Sequence, residues 1–182
     1  MGCRAVFLDR DGVLNELVVR DGHSVSPRRE EEFVLRPEAG PAVRRLKALG
    51  LRLFVVTNQP DVARGLMTQG ALDAMHARLR SALPLDDLGL CPPDDADGCG
   101  CRKPKDGLLR LLAERWDVDL ARSFVVGDSW RDAGAGRAAG CRTVLVKSGA
   151  GAAEGADCTA GSLDEATAVI AAWLHSDEEG EP

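Results

Sequence analysis

The sequence has no long apolar segment and no excess of positive charge. No apolar run approaches the roughly 18–20 residues that a helix needs to cross a bilayer. The N-terminus lacks a basic stretch followed by a long apolar region, so we do not expect a secretory signal. The formal net charge is −6, which argues against a protein that binds nucleic acid or a membrane surface. We therefore expect a cytoplasmic protein in which local cations or a metal hold any anionic ligand.

The size of the chain favours one domain. It has 182 residues, of which 45% are hydrophobic, enough for a real core. No internal repeat or linker interrupts it, so we expect a single domain over residues 1–182 and a monomer. The acidic residues 175–182 contain few apolar side chains and are expected to be a frayed tail. Six cysteines without a secretion signal indicate reduced thiols or metal ligands rather than a disulfide framework.

Apolar runs alternate with amphipathic segments along the chain. Four runs predict buried strands, at 5–8, 51–56, 123–126 and 143–146. Five segments predict helices, at 38–49, 68–83, 106–116, 133–140 and 163–174, and residues 16–36 read as a flap or loop. This alternation predicts an α/β, doubly wound (Rossmann-like), mostly parallel sheet with helices on both faces and no large cap domain.

Polar side chains follow three of these strands. Asp9 and Asp11 come after the first strand, before Gly12, which permits a sharp turn. Such residues are often only a solvated loop. However, Asn58 and Asp128 also follow strands, and the carboxyl ends of parallel strands meet at one sheet edge. Carboxylates gathered there suit Mg²⁺, and Lys103 before the third helix suits a phosphoryl oxygen. Together these parts indicate a phosphoryl-transfer site.

Four segments resemble ordered motifs of the haloacid dehalogenase (HAD) phosphatase superfamily. They are FLDRDGVLN at 7–15, VVTNQ at 55–59, CRKP at 101–104 and VGD at 126–128. More narrowly, they resemble the heptose bisphosphate and histidinol-phosphate phosphatases. The resemblance covers residues from about 5 to 146 and implies a Mg²⁺-dependent phosphatase of carbohydrate metabolism. Its substrate would be a small sugar phosphate or bisphosphate, heptose 1,7-bisphosphate foremost. Histidinol phosphate or another small metabolite is the alternative, and a non-catalytic binding module on the same fold is a remote one.

The resemblance also implies catalytic roles for particular residues. Asp9 matches the nucleophile and a Mg²⁺ ligand, and Asp11 matches the general acid/base, with its backbone carbonyl on the metal. Lys103 matches the charge-stabilising lysine, and Asp128 matches the fourth-motif Mg²⁺ ligand. Asp132 could hold a metal-bound water, or it could simply be a helix N-terminal residue that interacts with the dipole.

Substrate contacts are expected from other positions in the motifs. Thr57 and Asn58 match the phosphate-binding second motif, whereas Arg102 and Arg64 resemble substrate-side arginines. Asp61 departs from the subgroup, which usually has a small residue and glycine after this motif. We expect its added carboxylate to disfavour a second phosphate nearby.

The loop before Lys103 resembles a structural zinc site with one ligand missing. Cys91, Cys99 and Cys101 are present, but Pro93 occupies the position of the expected histidine. Structural zinc takes four ligands. The fourth could come from Asp94, Asp95, His23 or His76, or the site could be relict and empty. His23 and His76 are otherwise expected at the surface.

Overall fold

The fold is built on six short strands that form one parallel sheet. The computed structural model describes residues 2–147 and 155–179. The strands lie in the order β5-β4-β1-β6-β7-β8, with every neighbouring pair parallel. They are β1 (Ala5–Leu8), β4 (Arg52–Asn58), β5 (Asp87–Cys91), β6 (Phe124–Gly127), β7 (Arg142–Val146) and β8 (Cys158–Ala160). The strand that carries the Asp-x-Asp sequence is therefore central, between β4 and β6.

Five helices cover the two faces of this sheet. They are α1 (Ala39–Ala48), α2 (Gln69–Ala82), α3 (Gly107–Trp116), α4 (Trp130–Ala139) and α5 (Leu163–Glu179). Alternation along β1 divides the core: Val6 and Leu8 pack with α1, α2 and α5, whereas Phe7 packs with α3 and α4. The doubly wound architecture expected from the sequence is confirmed.

Some boundaries differ from the sequence-based expectation. The strands β5 and β8 were not predicted, since both are short edge strands in which buried positions are mixed with less buried ones. Helix α4 begins at Trp130 rather than 133 because Ser129 caps it. Helix α5 continues past 174 to Glu179, where Asp177 accepts a hydrogen bond from Arg142. The rest of the expected frayed tail, residues 180–182, lies outside the described residues.

The flap predicted over 16–36 contains a small antiparallel hairpin. Its strands are β2 (Val18–Arg20) and β3 (His23–Val25). Arg20 forms an ion pair with Glu32, which also accepts a hydrogen bond from the Arg28 backbone N–H. The hairpin is thereby tied to the chain that follows it, and it stands over the carboxyl ends of the central strands.

Among the described helices, none is long and apolar enough to cross a membrane.

Candidate active site

The carboxyl ends of β4, β1 and β6 form the floor of a cleft of about 450 Å³. Asp9 follows β1, and its backbone N–H donates to the Val126 carbonyl at 2.8 Å, which fixes it beside β6. Asp128 follows β6 directly. Gly12 has a φ of +81°, and a Cβ there would come within 2.2 Å of an Asp128 carboxylate oxygen. Only glycine therefore lets the loop after β1 approach Asp128 so closely.

Lys103 is buried at the centre of the floor, with 3% of its surface exposed. Its Nζ donates to Asp9 Oδ1 at 2.7 Å, to Asp132 Oδ1 at 2.5 Å and to the Val56 carbonyl at 2.8 Å. All three donor positions of the ammonium group are thus used. The neighbouring carboxylates raise the pKa of Lys103 despite the opposing effect of burial, so the side chain stays charged.

Asp9 lies in an excess of negative charge. Burial has the largest effect and raises the pKa of Asp9. The carboxylates of Asp132, Asp128 and Asp11 raise it further, while Lys103 lowers it. Among the described residues, Asp9, Asp128 and Asp132 each offer a carboxylate oxygen within 4.8 Å of the others. Three carboxylates around one ammonium group leave a deficit of positive charge. Oxygen donors with this deficit fit a hard divalent cation such as Mg²⁺.

Asp132 makes the helix N-terminal contacts that the sequence allowed, and it also contacts Lys103. Its Oδ2 accepts from the Ser129 backbone N–H at 3.2 Å and from Ser129 Oγ at 2.7 Å, as a capping residue does. Its Oδ1 accepts from Lys103. With both oxygens occupied, Asp132 holds Lys103 and the start of α4 together.

Asp11 is held by donors on both carboxylate oxygens. Arg10 Nε and Asn15 Nδ2 donate to Oδ1 at 3.0 and 2.9 Å, while Arg10 Nη2 and Gln59 Nε2 donate to Oδ2 at 2.9 and 2.6 Å. Burial alone would raise the pKa of Asp11, but Arg10 and hydrogen bonds from Asn15, Gln59 and Ser26 outweigh it and lower the pKa. Asp11 is therefore ionised and fixed in this arrangement.

Thr57 and Asn58 lie at the end of β4, beside Lys103. The Asn58 side chain donates to the Lys103 carbonyl and accepts from the Lys103 N–H, both at 3.2 Å. Thr57 Oγ1 accepts from Gln59 Nε2 at 3.0 Å. Asn58 thus positions the lysine loop, a role that the motif resemblance did not indicate, and both residues line the cleft.

Arginines surround the mouth of the cleft. The lining includes four of them: Arg28, Arg64, Arg102 and Arg131. Arg64 donates from Nε and Nη2 to Asp94, at 2.6 and 2.5 Å, and Arg102 donates to the Pro93 carbonyl at 3.3 Å. The structure therefore brings the expected Arg64 and Arg102 to the cleft together with Arg28 and Arg131, which no motif had singled out.

The carboxylate of Asp61 is paired rather than free. Arg28 Nε donates to it at 2.6 Å, and Arg64 Nη1 lies 3.6 Å away. The expectation that Asp61 repels a second phosphate assumed an isolated charge. Two guanidinium groups beside it offset that charge, so the expectation is wrong for this arrangement.

Cys91, Cys99 and Cys101 come together below the loop that carries Lys103. Their sulfurs are separated by 2.6 Å (Cys91 to Cys101), 3.5 Å (Cys91 to Cys99) and 3.4 Å (Cys99 to Cys101). No fourth ligand joins this three-thiol cluster among the side chains that the structure describes. Of the expected alternatives, Asp94 accepts hydrogen bonds from Arg64, His76 lies beside Arg10, and His23 is on the hairpin. The Asp95 side chain lies outside the described part.

His76 was expected at the surface but is buried, with 8% of its surface exposed. Its Nε2 lies 3.0 Å from Arg10 Nη1. Sequence reasoning also gave no role to Arg10 or Gln59, although both stand inside the quoted motifs. His76 is distant in sequence from Arg10, and only its place on the apolar stripe of α2, next to Met75 and Leu79, hinted at burial. His23 is exposed, as expected.

Comparisons with known proteins agree with this site. Residues 100–171 match the HAD-hydrolase-like family model. The D-glycero-beta-D-manno-heptose-1,7-bisphosphate 7-phosphatase of Pseudomonas aeruginosa is 40% identical over 177 residues, which cover 93% of this chain and 97% of the relative. The D-glycero-alpha-D-manno-heptose-1,7-bisphosphate 7-phosphatase of Mycobacterium tuberculosis is 38% identical over 133 residues, or 70% of this chain and 68% of the relative.

A solved structure of a heptose bisphosphate phosphatase is also similar to this chain. The D,D-heptose 1,7-bisphosphate phosphatase of B. bronchiseptica, complexed with magnesium and phosphate, superposes with a TM-score of 0.79 at 34% identity. The match covers 95% of this chain and 99% of that one. The P. aeruginosa relative matches this chain in sequence over nearly its whole length, and the B. bronchiseptica structure matches it in fold. The chain therefore belongs to the HAD-like hydrolases, in the phosphatase group that includes the heptose bisphosphate phosphatases.

Proposed function

We propose that this phosphatase removes the 7-phosphate of D-glycero-D-manno-heptose 1,7-bisphosphate with the help of Mg²⁺. The observation that carries the proposal is the cluster of Asp9, Lys103, Asp128 and Asp132 on the floor of a cleft with arginines at its mouth. The cluster supplies a nucleophile and a cation site for one phosphate. The arginines supply positive charge for a second anionic group on the same substrate.

In the first half-reaction, an Asp9 carboxylate oxygen attacks phosphorus in line with the leaving oxygen. The bond from phosphorus to the sugar oxygen breaks, and an aspartyl-phosphate forms on Asp9. Lys103, fixed by Asp132 and the Val56 carbonyl, keeps Asp9 oriented and offsets the charge on the phosphoryl oxygens. Asp11 must carry a proton when it protonates the departing oxygen, and the negative charge of the bound phosphate favours that form against the donors that otherwise keep Asp11 ionised.

In the second half-reaction, a water molecule attacks the aspartyl-phosphate. Asp11, now a carboxylate, takes a proton from that water. The bond between phosphorus and the Asp9 oxygen breaks, which restores Asp9 and releases inorganic phosphate. The donors around Asp11 keep it in the ionised form that this step needs.

Mg²⁺ would be held by the carboxylates of Asp9 and Asp128 and by the backbone carbonyl of Asp11. Bound there, it supplies positive charge that offsets the phosphoryl oxygens and the crowded carboxylates. Zinc has no step in this proposal. The three-thiol cluster lacks a fourth ligand among the described side chains and does not fit a closed structural zinc site.

The charge at the mouth favours a bisphosphate over histidinol phosphate. The arginines that line the mouth, Arg28, Arg64, Arg102 and Arg131, outnumber the two carboxylates that pair with them there, those of Asp61 and Asp94. A second phosphate would find cations there, whereas the ammonium group of histidinol phosphate would be repelled. The near-complete match to the P. aeruginosa protein favours the beta anomer.

We also propose that the protein works as a monomer in the cytoplasm. All the residues of the proposed mechanism come from one chain, and the six cysteines are free thiols, as a reducing compartment would keep them. Light scattering of the purified protein tests the first point. A mass of twice 19.3 kDa would contradict it.

Phosphate release from a defined panel tests the proposed activity. The panel contains both anomers of heptose 1,7-bisphosphate, histidinol phosphate and p-nitrophenyl phosphate, each with Mg²⁺ or with EDTA. We expect Mg²⁺-dependent release, fastest with a heptose bisphosphate. Asp9→Asn should abolish release, while the matched control Asp73→Asn, on the exposed face of α2, should not change it. Faster hydrolysis of histidinol phosphate would refute the substrate, and an active, folded Asp9→Asn variant would refute the nucleophile.

A further inference from the structure

Arg10, between the two aspartates of the first motif, is fully buried. Its Nε and Nη2 each donate to one oxygen of Asp11, which makes a two-pronged contact with the carboxylate. The guanidinium carbon lies 5.6 Å from the centre of the Phe33 ring. Asn15 and Gln59 each hold one oxygen of Asp11, whereas Arg10 holds both. Arg10 therefore determines the plane in which the Asp11 carboxylate lies.

His76 in turn holds Arg10 from the middle of α2. An arginine can only donate hydrogen bonds, so the contact at 3.0 Å makes His76 Nε2 the acceptor and places the ring proton on Nδ1. Burial, the larger effect, together with the charge of Arg10, lowers the pKa of His76 to about 4. The ring is therefore neutral at pH 7. A neutral acceptor is what a buried guanidinium group needs on its remaining side.

Neither of these two residues reaches the substrate space. Within the described part of the chain, the lining of the cleft includes Asp11 but not Arg10 or His76. Any effect that they have on the reaction must therefore pass through Asp11. His76 holds Arg10, and Arg10 holds the Asp11 carboxylate on the side away from the cleft. Such a chain of hydrogen bonds fixes the orientation of the carboxylate.

We propose that Arg10 and His76 are positioning residues that aim the Asp11 carboxylate at the leaving oxygen. This inference rests on the proposed function, because it requires Asp11 to be the general acid. When His76 no longer holds Nη1, Arg10 can rotate, and Asp11 can follow it away from the leaving oxygen. The loss would then be confined to steps in which Asp11 transfers a proton.

The dependence on the leaving group separates this role from a merely structural one. A sugar alkoxide needs a proton as it departs, whereas p-nitrophenolate leaves as a stable anion. The value of kcat/KM reports the steps up to departure of the leaving group, before the hydrolysis of the aspartyl-phosphate that both substrates share. For His76→Leu we expect kcat/KM to fall at least about 10-fold on the best sugar phosphate and less than about 2-fold on p-nitrophenyl phosphate.

Further variants complete the test. His76→Gln provides a side-chain oxygen that can accept from Arg10 and should restore most of the activity on the sugar phosphate. Arg10→Lys keeps the charge but cannot hold both oxygens, so it should repeat the selective loss even if His76→Leu does not fold. The matched control is His175→Leu, an exposed histidine on α5, which should behave as wild type.

The outcomes separate this inference from the proposed function. Equal losses on both substrates would assign a structural role to the pair and overturn the inference. The inference would also be overturned if, in both His76→Leu and Arg10→Lys, the ratio of kcat/KM on the sugar phosphate to kcat/KM on p-nitrophenyl phosphate stayed at the wild-type value. If the wild-type protein hydrolyses neither substrate in Mg²⁺, the proposed function itself fails, and the positioning role fails with it.

Discussion

Replacing Lys103 by methionine should destabilise the protein, and bound Mg²⁺ should restore part of the lost stability. The methionine fills a similar volume but removes the ammonium group that contacts Asp9 at 2.7 Å and Asp132 at 2.5 Å. Breaking a buried ion pair on one side costs about 3–5 kcal/mol, because the partner charges stay buried without compensation. In a chain of this length each kcal/mol lowers Tm by roughly 2–4 °C, so a decrease of about 6–20 °C is expected.

Thermal unfolding with and without Mg²⁺ measures this effect. Wild type and variant should differ most in EDTA, and Mg²⁺ should raise the Tm of the variant more, since a bound divalent cation supplies part of the missing charge. Phosphate release by Lys103→Met should fall by about 10²–10³-fold even in saturating Mg²⁺. The matched control is Lys105→Met, because Lys105 is exposed and contacts only the carbonyls of Gly98 and Cys99 among the bonds described.

Two results would refute this reasoning. If Lys103→Met unfolds at the wild-type temperature in EDTA, the ammonium group does not neutralise the buried carboxylates. If Mg²⁺ raises the Tm of both proteins equally, the cation does not act on the same charges. A loss of stability in Lys105→Met as large as that in Lys103→Met would show that the loop is sensitive to any substitution.

The other predictions concern the metal, the hairpin and the cysteines. Gly12→Ala should raise the Mg²⁺ concentration for half-maximal phosphate release at least about 10-fold, since a Cβ would displace Asp128, and strain at φ +81° adds about 1–2 kcal/mol of instability; an unchanged midpoint would contradict this. Hydrogen bonds from Arg20, above all, lower the pKa of Glu32 from 4.5 to about 2, so its contribution is complete above pH 4.5 and lost as pH falls to about 2. Amide protection of the hairpin should therefore be higher in wild type than in Glu32→Gln at pH 7, and this difference should be smaller at pH 2; equality already at pH 7 would rule out this anchor. Pro93→His should raise the zinc retained after dialysis against a chelator towards one ion per chain, and equal retention by wild type would mean that a fourth ligand already exists.

The sequence was sufficient for the fold and for the floor of the cleft because both depend on local patterns. A strand such as β1 is an apolar run in the chain itself, and the polar residues after it must lie at the sheet edge. Asp9, Lys103 and Asp128 were therefore predictable candidates, and the structure brings their side chains together.

Other features depend on pairings that no local pattern encodes. The contact of His76 with Arg10 joins a helix to a distant loop, and the charge of Asp61 is offset by Arg28 from the hairpin segment. A one-sequence reading assigns such residues by their average behaviour, which placed His76 in solvent and left Asp61 as a bare charge. The edge strands β5 and β8 were missed for a related reason, since their short sequences contain no continuous apolar run.

The position of β1 in the sheet also has a consequence for synthesis of the chain. Among the six strands this one is made first, yet its two neighbours are β4 and β6, and Asp128 and Asp132 follow β6 in the chain. Until β6 leaves the ribosome, one edge of the apolar β1 has no partner, and Asp9 has only part of its surroundings. A nascent chain that stops short of β6 is thus both catalytically incomplete and prone to aggregate through β1. The pairing of both edges of β1 and the appearance of activity should then coincide, once β6 and the residues after it have been made.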